Sequence, residues 1–200
     1  MTTLSDRFTR AVDYARIAHA RQTRKGSDIP YLYHLLGVAS LVIEFGGSED
    51  QAIAGLLHDV IEDCGAAHES AIRHQFGTAV AEIVVACTDG SAERKAEHES
   101  PEEKRADWTR RKRRYLAHLA DASDDVLLVS CCDKLHNARA IVQDLEDPRV
   151  GLAVFERFTG GREGTLWYYG ALSKVFSERG SAPAECLARV VGRLNVLSVD

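Results

Sequence analysis

Apolar residues recur at three- and four-residue steps from the start of the chain. Leu4, Phe8, Val12, Ala15 and Ala18 mark one face of a helix over residues 4–20. Gly26 and Pro30 punctuate the stretch that follows. Residues 31–45 are apolar nearly all round, which predicts a buried central helix stopped by Gly46-Gly47. Ser48-Glu49-Asp50-Gln51 has the form of a capping box. Behind it Ile53, Leu56, Leu57, Val60, Ile61 and Cys64 keep the helical period, predicting one continuous third helix that ends at Gly65. Shorter helices are expected over residues 67–75 and 77–88, and a mobile loop over Asp89–Ser100, where Gly, Ser and mixed charge replace apolar residues. Ser100-Pro101-Glu102-Glu103 restarts a helix that runs to Ala120, with Ser as its cap and Pro in the first turn. A further helix opens at Asp124 and closes before Pro148. Two or three more follow, broken near Gly160-Gly161 and Gly180. With no period-2 segment, internal repeat or linker, the expected fold is a single all-α domain over residues 1–200, a helical bundle.

Composition narrows the function classes. A chain of 200 residues suits one large domain, or two small ones at most. At 45% hydrophobic and 28% charged residues it is neither disordered nor collagen-like nor a solenoid. No apolar run approaches the ~18 residues of a membrane span, and the opening MTTLSDRFTR is too polar for a secretory leader. Lys and Arg number 25 against 30 Asp and Glu. The net charge of -5 disfavours a general DNA binder, which needs basic excess. The five cysteines, Cys64, Cys87, Cys131, Cys132 and Cys186, form no CxxC pair and predict reduced thiols in a cytoplasmic protein.

Candidate chemistry lies in polar residues set into apolar helix sequence. In LLHDVIEDC, Glu62 follows His58 by four residues and Asp63 follows Asp59 by four, predicting two parallel columns on one helix edge. Carboxylates so crowded need a cation or a shared proton if they are partly buried. A His-Asp pair alone is within chance, and a solvated helix edge explains it as well. His34, after PYLY, opens an all-apolar helix, and Asp133 ends the apolar run VLLVSCC. A carboxylate there is costly unless it is paired or binds metal. Lys134 offers an ion pair but points about 100° away on a helix, whereas Asn137 stacks on the side of Asp133. His34, His58, Asp59 and Asp133 together would be a nitrogen and oxygen set suited to Mn²⁺, Fe²⁺, Co²⁺ or Zn²⁺.

This H…HD…D order resembles that of the HD-domain metal-dependent phosphohydrolases. HARQTRKG (His19–Gly26), PYLYH (Pro30–His34), HDVIED (His58–Asp63) and CDKLHNAR (Cys132–Arg139) resemble four blocks of the hydrolase domain of RelA/SpoT proteins. The likeness extends to the free-standing small alarmone hydrolases of the metazoan SpoT type. It covers residues 4–145, with 149–197 expected to complete the bundle, and leaves no room for a synthetase domain. The resemblance implies one divalent ion, Mn²⁺, held by His34, His58, Asp59 and Asp133. It implies that Glu62 and Asp63 position or deprotonate the attacking water. Arg24 and Lys25 would hold the nucleotide, and Asn137 would line its pocket. The implied reaction removes the 3′-pyrophosphate of ppGpp or pppGpp, giving GDP or GTP. The pattern departs from the family at Leu35 (usually Pro), Ser130 (usually Lys) and Ala140 (commonly Thr), the last two at the expected substrate pocket.

Competing readings are an HD phosphohydrolase of another nucleotide, such as NADPH or a deoxynucleotide, and a nucleotide-binding regulator without turnover. The expected partner is a small-molecule nucleotide, with neither DNA nor a membrane; a homo-oligomer stays open. Lys104–Arg114 holds seven basic residues and one acidic. It reads as an exposed helix face, or alternatively as a positive rim that steers an anionic nucleotide. Trp108 within it is expected to anchor rather than stack on a base. His19 is expected to be structural, and His136 to lie at the surface or behind the ligands. His68, His74, His98 and His118 are expected to be exposed, and Thr165–Tyr169 to be core packing.

Overall fold

The computed structural model describes residues 2–88 and 100–199. Ten α-helices fill them: α1 (Asp6–Ala18), α2 (Leu32–Glu44), α3 (Glu49–Leu57), α4 (Val60–Cys64), α5 (His68–Phe76), α6 (Thr78–Cys87), α7 (Pro101–Asp121), α8 (Asp124–Glu146), α9 (Gly161–Glu178) and α10 (Ala184–Leu197). A 3-10 helix, Gly151–Arg157, joins α8 to α9. Among the described residues the extended backbone is limited to one isolated bridge, Thr23 to Pro30. The all-α expectation holds.

Serine side chains start four of the helices. Ser5, Ser48, Ser100 and Ser123 each accept a backbone N–H of the first turn, and Ser48 and Ser100 complete capping boxes with Gln51 and Glu103. The rest of the expected loop at Asp89–Ser100, with His98, lies outside the described residues.

The core forms where α2, α3 and α8 meet, with α1 and α6 against α3. Every residue from Ala52 to Leu57 is buried. Gly55 allows this crowding, because a β-carbon there would lie 3.3 Å from the α-carbon of Ala39 in α2. Fully buried residues such as Leu35, Leu57, Leu127 and Phe176 each contribute about 1.5–3 kcal/mol through burial. The C-terminal helices are integral to this packing. α10 runs along α8, burying Leu187, Val191 and Leu194, and α9 docks on α7.

The third helix is not continuous. It pauses for two residues, His58 and Asp59, before α4. Both residues keep right-handed backbone angles (φ -57 and -95), so the break is a local loosening rather than a reversal. Two side-chain contacts accompany the pause, one long-range and one local. The Asp59 carboxylate is drawn to the Tyr31 hydroxyl, while the His58 ring folds back on the carbonyl of Gly55. Within the expected columns Asp59 accepts from Tyr31 and Asp63 from Gln22.

Candidate active site

Four side chains from three regions converge. His34 comes from the first turn of α2, His58 and Asp59 from the pause between α3 and α4, and Asp133 from the middle of α8. The Nε2 atom of His34 lies 3.6 Å from Oδ2 of Asp59 and 3.2 Å from Oδ1 of Asp133. The corresponding distances from Nε2 of His58 are 3.0 and 3.5 Å. Ligand atoms of His34, His58 and Asp59 lie within 4.8 Å of one another. Both Nε2 atoms are buried without a hydrogen bond, with the carboxylate oxygens 3.0–3.6 Å away. Leaving such groups unpaired costs about 1–3 kcal/mol each. Two unpartnered ring nitrogens beside a half-buried and a buried carboxylate have the chemistry of a donor set that could hold a divalent cation.

The electrostatics agree. Burial opposes charge on Asp59 and Asp133, yet both stay ionised well below the usual carboxylate range. His58 and His34 hold Asp59 down, and Lys134 and His58 hold Asp133 down. Burial likewise opposes charge on His58, but Asp59 and Asp133 lift it well above the usual imidazole range. The carboxylates thus draw positive charge to the point where a metal ion would displace the His58 proton.

Each converging group has a fixed orientation. The His58 Nδ1 atom lies 2.9 Å from the Gly55 carbonyl oxygen, and His34 Nδ1 lies 3.0 Å from His136 Nδ1. Asp59 accepts from the Tyr31 hydroxyl at 2.5 Å. Asp133 accepts from Lys134 at 2.5 Å and from Asn137 at 2.6 Å, and Arg24 donates to Asn137 at 2.7 Å. The Lys134 ion pair therefore forms despite the helical offset, because a four-carbon stem reaches back. Burial, His34 and Arg24 push the His136 imidazole down to about 4. That ring is half-buried behind His34, not at the surface.

A cavity of about 350 Å³ opens above these groups. Asp59, Lys134 and Asn137 form its floor, Glu62 and Asp63 one acidic wall, and Arg24 and Lys25 a basic one. Asp63 accepts from Gln22 at 2.8 Å; Gln22 in turn pairs with His19 at 2.6 Å. His19 is buried and stacks on Tyr31, with centroids 5.1 Å apart, which is the structural role expected of it. A larger hollow of about 500 Å³ between α5, α6 and α7 holds none of the four converging side chains.

Several lining residues escape a reading of the sequence. Trp108 and Lys112 of α7, Phe158, and Thr165, Tyr168 and Tyr169 of α9 face the same cavity. Lys112 sits 4.9 Å over the Tyr168 ring. The expected solvated face of Lys104–Arg114 is thus only half right: Arg111 and Lys112 are half-buried, and both border the adjoining cleft of about 270 Å³. The basic run was the available signal for Lys112; nothing in TLWYY marks Tyr168 or Tyr169. Trp108 does anchor, pressed where a β-carbon on Gly160 would lie 2.6 Å from its ring. Of the departures from the family pattern, Ala140 lines the cavity. Ser130 does not; it is buried between the Tyr115 hydroxyl and the Cys87 thiol. His68 is half-buried rather than exposed, paired with Tyr14 at 2.7 Å.

Comparison with known proteins follows the same lines. Residues 11–166 match the HD domain family. MESH1 of Xenopus tropicalis, a guanosine-3′,5′-bis(diphosphate) 3′-pyrophosphohydrolase, is 36% identical over 132 residues, covering 64% of this chain and 66% of MESH1. MESH1 of Drosophila melanogaster is 30% identical over 138 residues, covering 68% and 69%. A probable guanosine-3′,5′-bis(diphosphate) 3′-pyrophosphohydrolase of Synechocystis is 37% identical over 132 residues, but these span only 16% of that longer protein. The solved structure of a metazoan ortholog of SpoT that hydrolyzes ppGpp superposes with a TM-score of 0.70 at 25% identity, covering 98% of this chain and 96% of the other. A Listeria monocytogenes structure shares the fold at 24% identity and a TM-score of 0.62. These similarities place the chain in the HD-domain family, on the branch that includes the MESH1 proteins.

Proposed function

We propose that this protein is a metal-dependent phosphohydrolase that removes the 3′-pyrophosphate from ppGpp and pppGpp, leaving GDP and GTP. The observation that carries the reading is the pair of buried, unpartnered Nε2 atoms of His34 and His58 facing Asp59 and Asp133 beneath a cavity with a basic wall. The activity printed for the MESH1 relatives supports it. His34, His58, Asp59 and Asp133 would hold one divalent ion; the nitrogen and oxygen donors suit Mn²⁺, Fe²⁺, Co²⁺ or Zn²⁺, and the family resemblance implies Mn²⁺. Such an ion, when bound, acts as a Lewis acid and lowers the pKa of water from ~15.7 toward ~7.

The remaining steps belong to this chain's own side chains. Glu62 and Asp63 border the cavity one helical turn beyond the donors, where a carboxylate can accept the proton of the attacking water. Gln22 holds Asp63 in place for that role. Arg24, Lys25 and Lys112 line the cavity, where their charge would stabilise the transferring phosphoryl oxygens. Asn137 bridges Asp133 and Arg24, tying the donor set to the phosphate clamp. The aromatic side chains of α7 and α9 exclude water from the nucleoside end. All five cysteines are unpaired thiols, which suits a reducing, cytoplasmic setting.

A second reading keeps the chemistry and changes the nucleotide. It is favoured by Ala140, which leaves the cavity wall without the hydroxyl common in the family. One experiment separates the two. Purified protein with Mn²⁺ is incubated with ppGpp, pppGpp, NADPH and common nucleotides, and the products are resolved by anion exchange. Pyrophosphate released from ppGpp supports the first reading; a single phosphate released from another nucleotide supports the second. Tight nucleotide binding with no turnover under any metal would make the protein a regulator.

A further inference from the structure

For a histidine to ligate through Nε2, its proton must sit on Nδ1, and the partner of Nδ1 fixes both tautomer and ring plane. His58 meets this need with backbone, since its Nδ1 faces the Gly55 carbonyl oxygen, which can only accept. His34 meets it differently. Its Nδ1 faces the Nδ1 of another imidazole, that of His136, at 3.0 Å. Two facing ring nitrogens share one proton. If Nε2 of His34 presents a lone pair to a cation, that proton belongs to His34 Nδ1, so His136 accepts it and carries its own proton on Nε2.

We infer that His136 is a positioning residue of the metal centre, and that Gly37 is glycine in order to admit it. The inference rests on the proposal that His34 is a metal ligand. A β-carbon at Gly37 would lie 2.2 Å from Nε2 of His136 and 2.3 Å from its Cδ2, so any side chain there pushes the ring away from His34. On the other side the ring is held edge-on by Tyr33, with centroids 5.3 Å apart, and by His34 itself at 4.9 Å. The slot is therefore built from α2 alone: His34 and Gly37 lie one turn apart on it, Tyr33 flanks them, and His136 enters from α8. His136 is absent from the wall of the substrate cavity, so its effect reaches the chemistry through His34 and not through the nucleotide.

Metal affinity measured without substrate tests this. The full chain, stripped with chelator, is titrated with Mn²⁺ while the EPR signal of the free ion is followed. Circular dichroism and thermal melting of the metal-free protein control for folding. His136→Phe keeps the aromatic packing but removes the acceptor, and is expected to weaken Mn²⁺ binding by about 10–100-fold with the metal-free melt unchanged. His136→Asn places an amide oxygen where Nδ1 stood and is expected to recover most of the affinity. Gly37→Ala leaves His136 in the sequence but displaces it, and is expected to match His136→Phe. Affinity within twofold of wild type for both His136→Phe and Gly37→Ala overturns the inference. So does His136→Asn binding as weakly as His136→Phe. Wild-type protein that takes up no Mn²⁺ would instead overturn the metal-centre reading itself, and this inference with it.

Discussion

Arg157 lies over Gly26 so closely that a β-carbon there would sit 2.4 Å from its Nε atom, and the same guanidinium pairs with Asp144 at 2.7 Å. The 3-10 helix thereby presses on the turn that carries Arg24 and Lys25. That turn is closed from below by Arg24 N–H donating to Ile29 and Tyr31 N–H donating to Gln22, each at 2.9 Å. The cationic wall of the cavity is thus held by a residue well beyond the motif blocks.

Gly26 has φ of +74, a conformation that costs other residues about 1–2 kcal/mol. Gly26→Ala adds the clash with Arg157. Both Gly26→Ala and Arg157→Ala are expected to raise KM for ppGpp roughly tenfold with kcat little changed, the signature of lost uniform binding. Steady-state kinetics decide this. A fall in kcat at unchanged KM would mean that the turn serves the chemical step instead.

Metal removal should be visible without any substrate. Mn²⁺ at about 100 times its Kd is expected to stabilise the fold by about 2.7 kcal/mol. For a chain of this length that raises Tm by about 5–10 °C. Chelator should reverse the rise, and His34→Ala should abolish it by removing one donor. Superimposable melts with and without Mn²⁺ would refute the site.

Gln22 donates to Asp63, so variants of Glu62 and Gln22 should separate proton transfer from positioning. Glu62→Gln is expected to lower kcat by about 10²–10⁴ while Mn²⁺ affinity stays at the wild-type level. Gln22→Ala removes the donor to Asp63 and leaves every metal-type donor in place. Its expected effect is a smaller loss, about tenfold in kcat, again without a change in metal affinity. A near-normal rate for Glu62→Gln would remove Glu62 as proton acceptor.

Cys64 carries an alkaline prediction. Burial, with Asp63 and Asp59 nearby, pushes its thiol up to about 11. The unfolded chain ionises this thiol near its ordinary value of 9.0, so the fold favours the neutral form. Its stabilising contribution is complete below pH 9 and is lost as pH rises toward 11. Denaturant melts from pH 8 to 11 should show that loss, and Cys64→Ala should show less of it. At pH 8 the thiol should label slowly with an exchange reagent, since the thiolate is the reactive form. Fast labelling of Cys64 at that pH would contradict its protected setting.

Helix boundaries were readable where the determinants are local. Ser48 and Ser100 cap the helices they precede, as their capping-box signatures predict, and the apolar period of α2 and α3 matches their buried faces. The convergence of the four polar side chains was readable for a related reason: a carboxylate inside VLLVSCC and a histidine at the mouth of an apolar helix have few solutions other than pairing or a metal. Period alone could not reveal the pause at His58-Asp59. The side chains at the pause bond to Tyr31 and Gly55, and hydrophobic spacing does not record hydrogen bonds.

The chain's own order of residues therefore determined the all-α architecture, most helix limits and the four polar side chains that converge, because caps, period and buried polarity act within a few residues. Tertiary packing decided what surrounds them. Lys112, Tyr168 and Tyr169 became cavity walls only when Trp108 settled against Gly160 and brought α9 onto α7. His136 became the partner of His34 only because Gly37 left space for its ring. Such relations depend on the distance between surfaces of different helices, and side-chain shape sets that distance only once the helices have met.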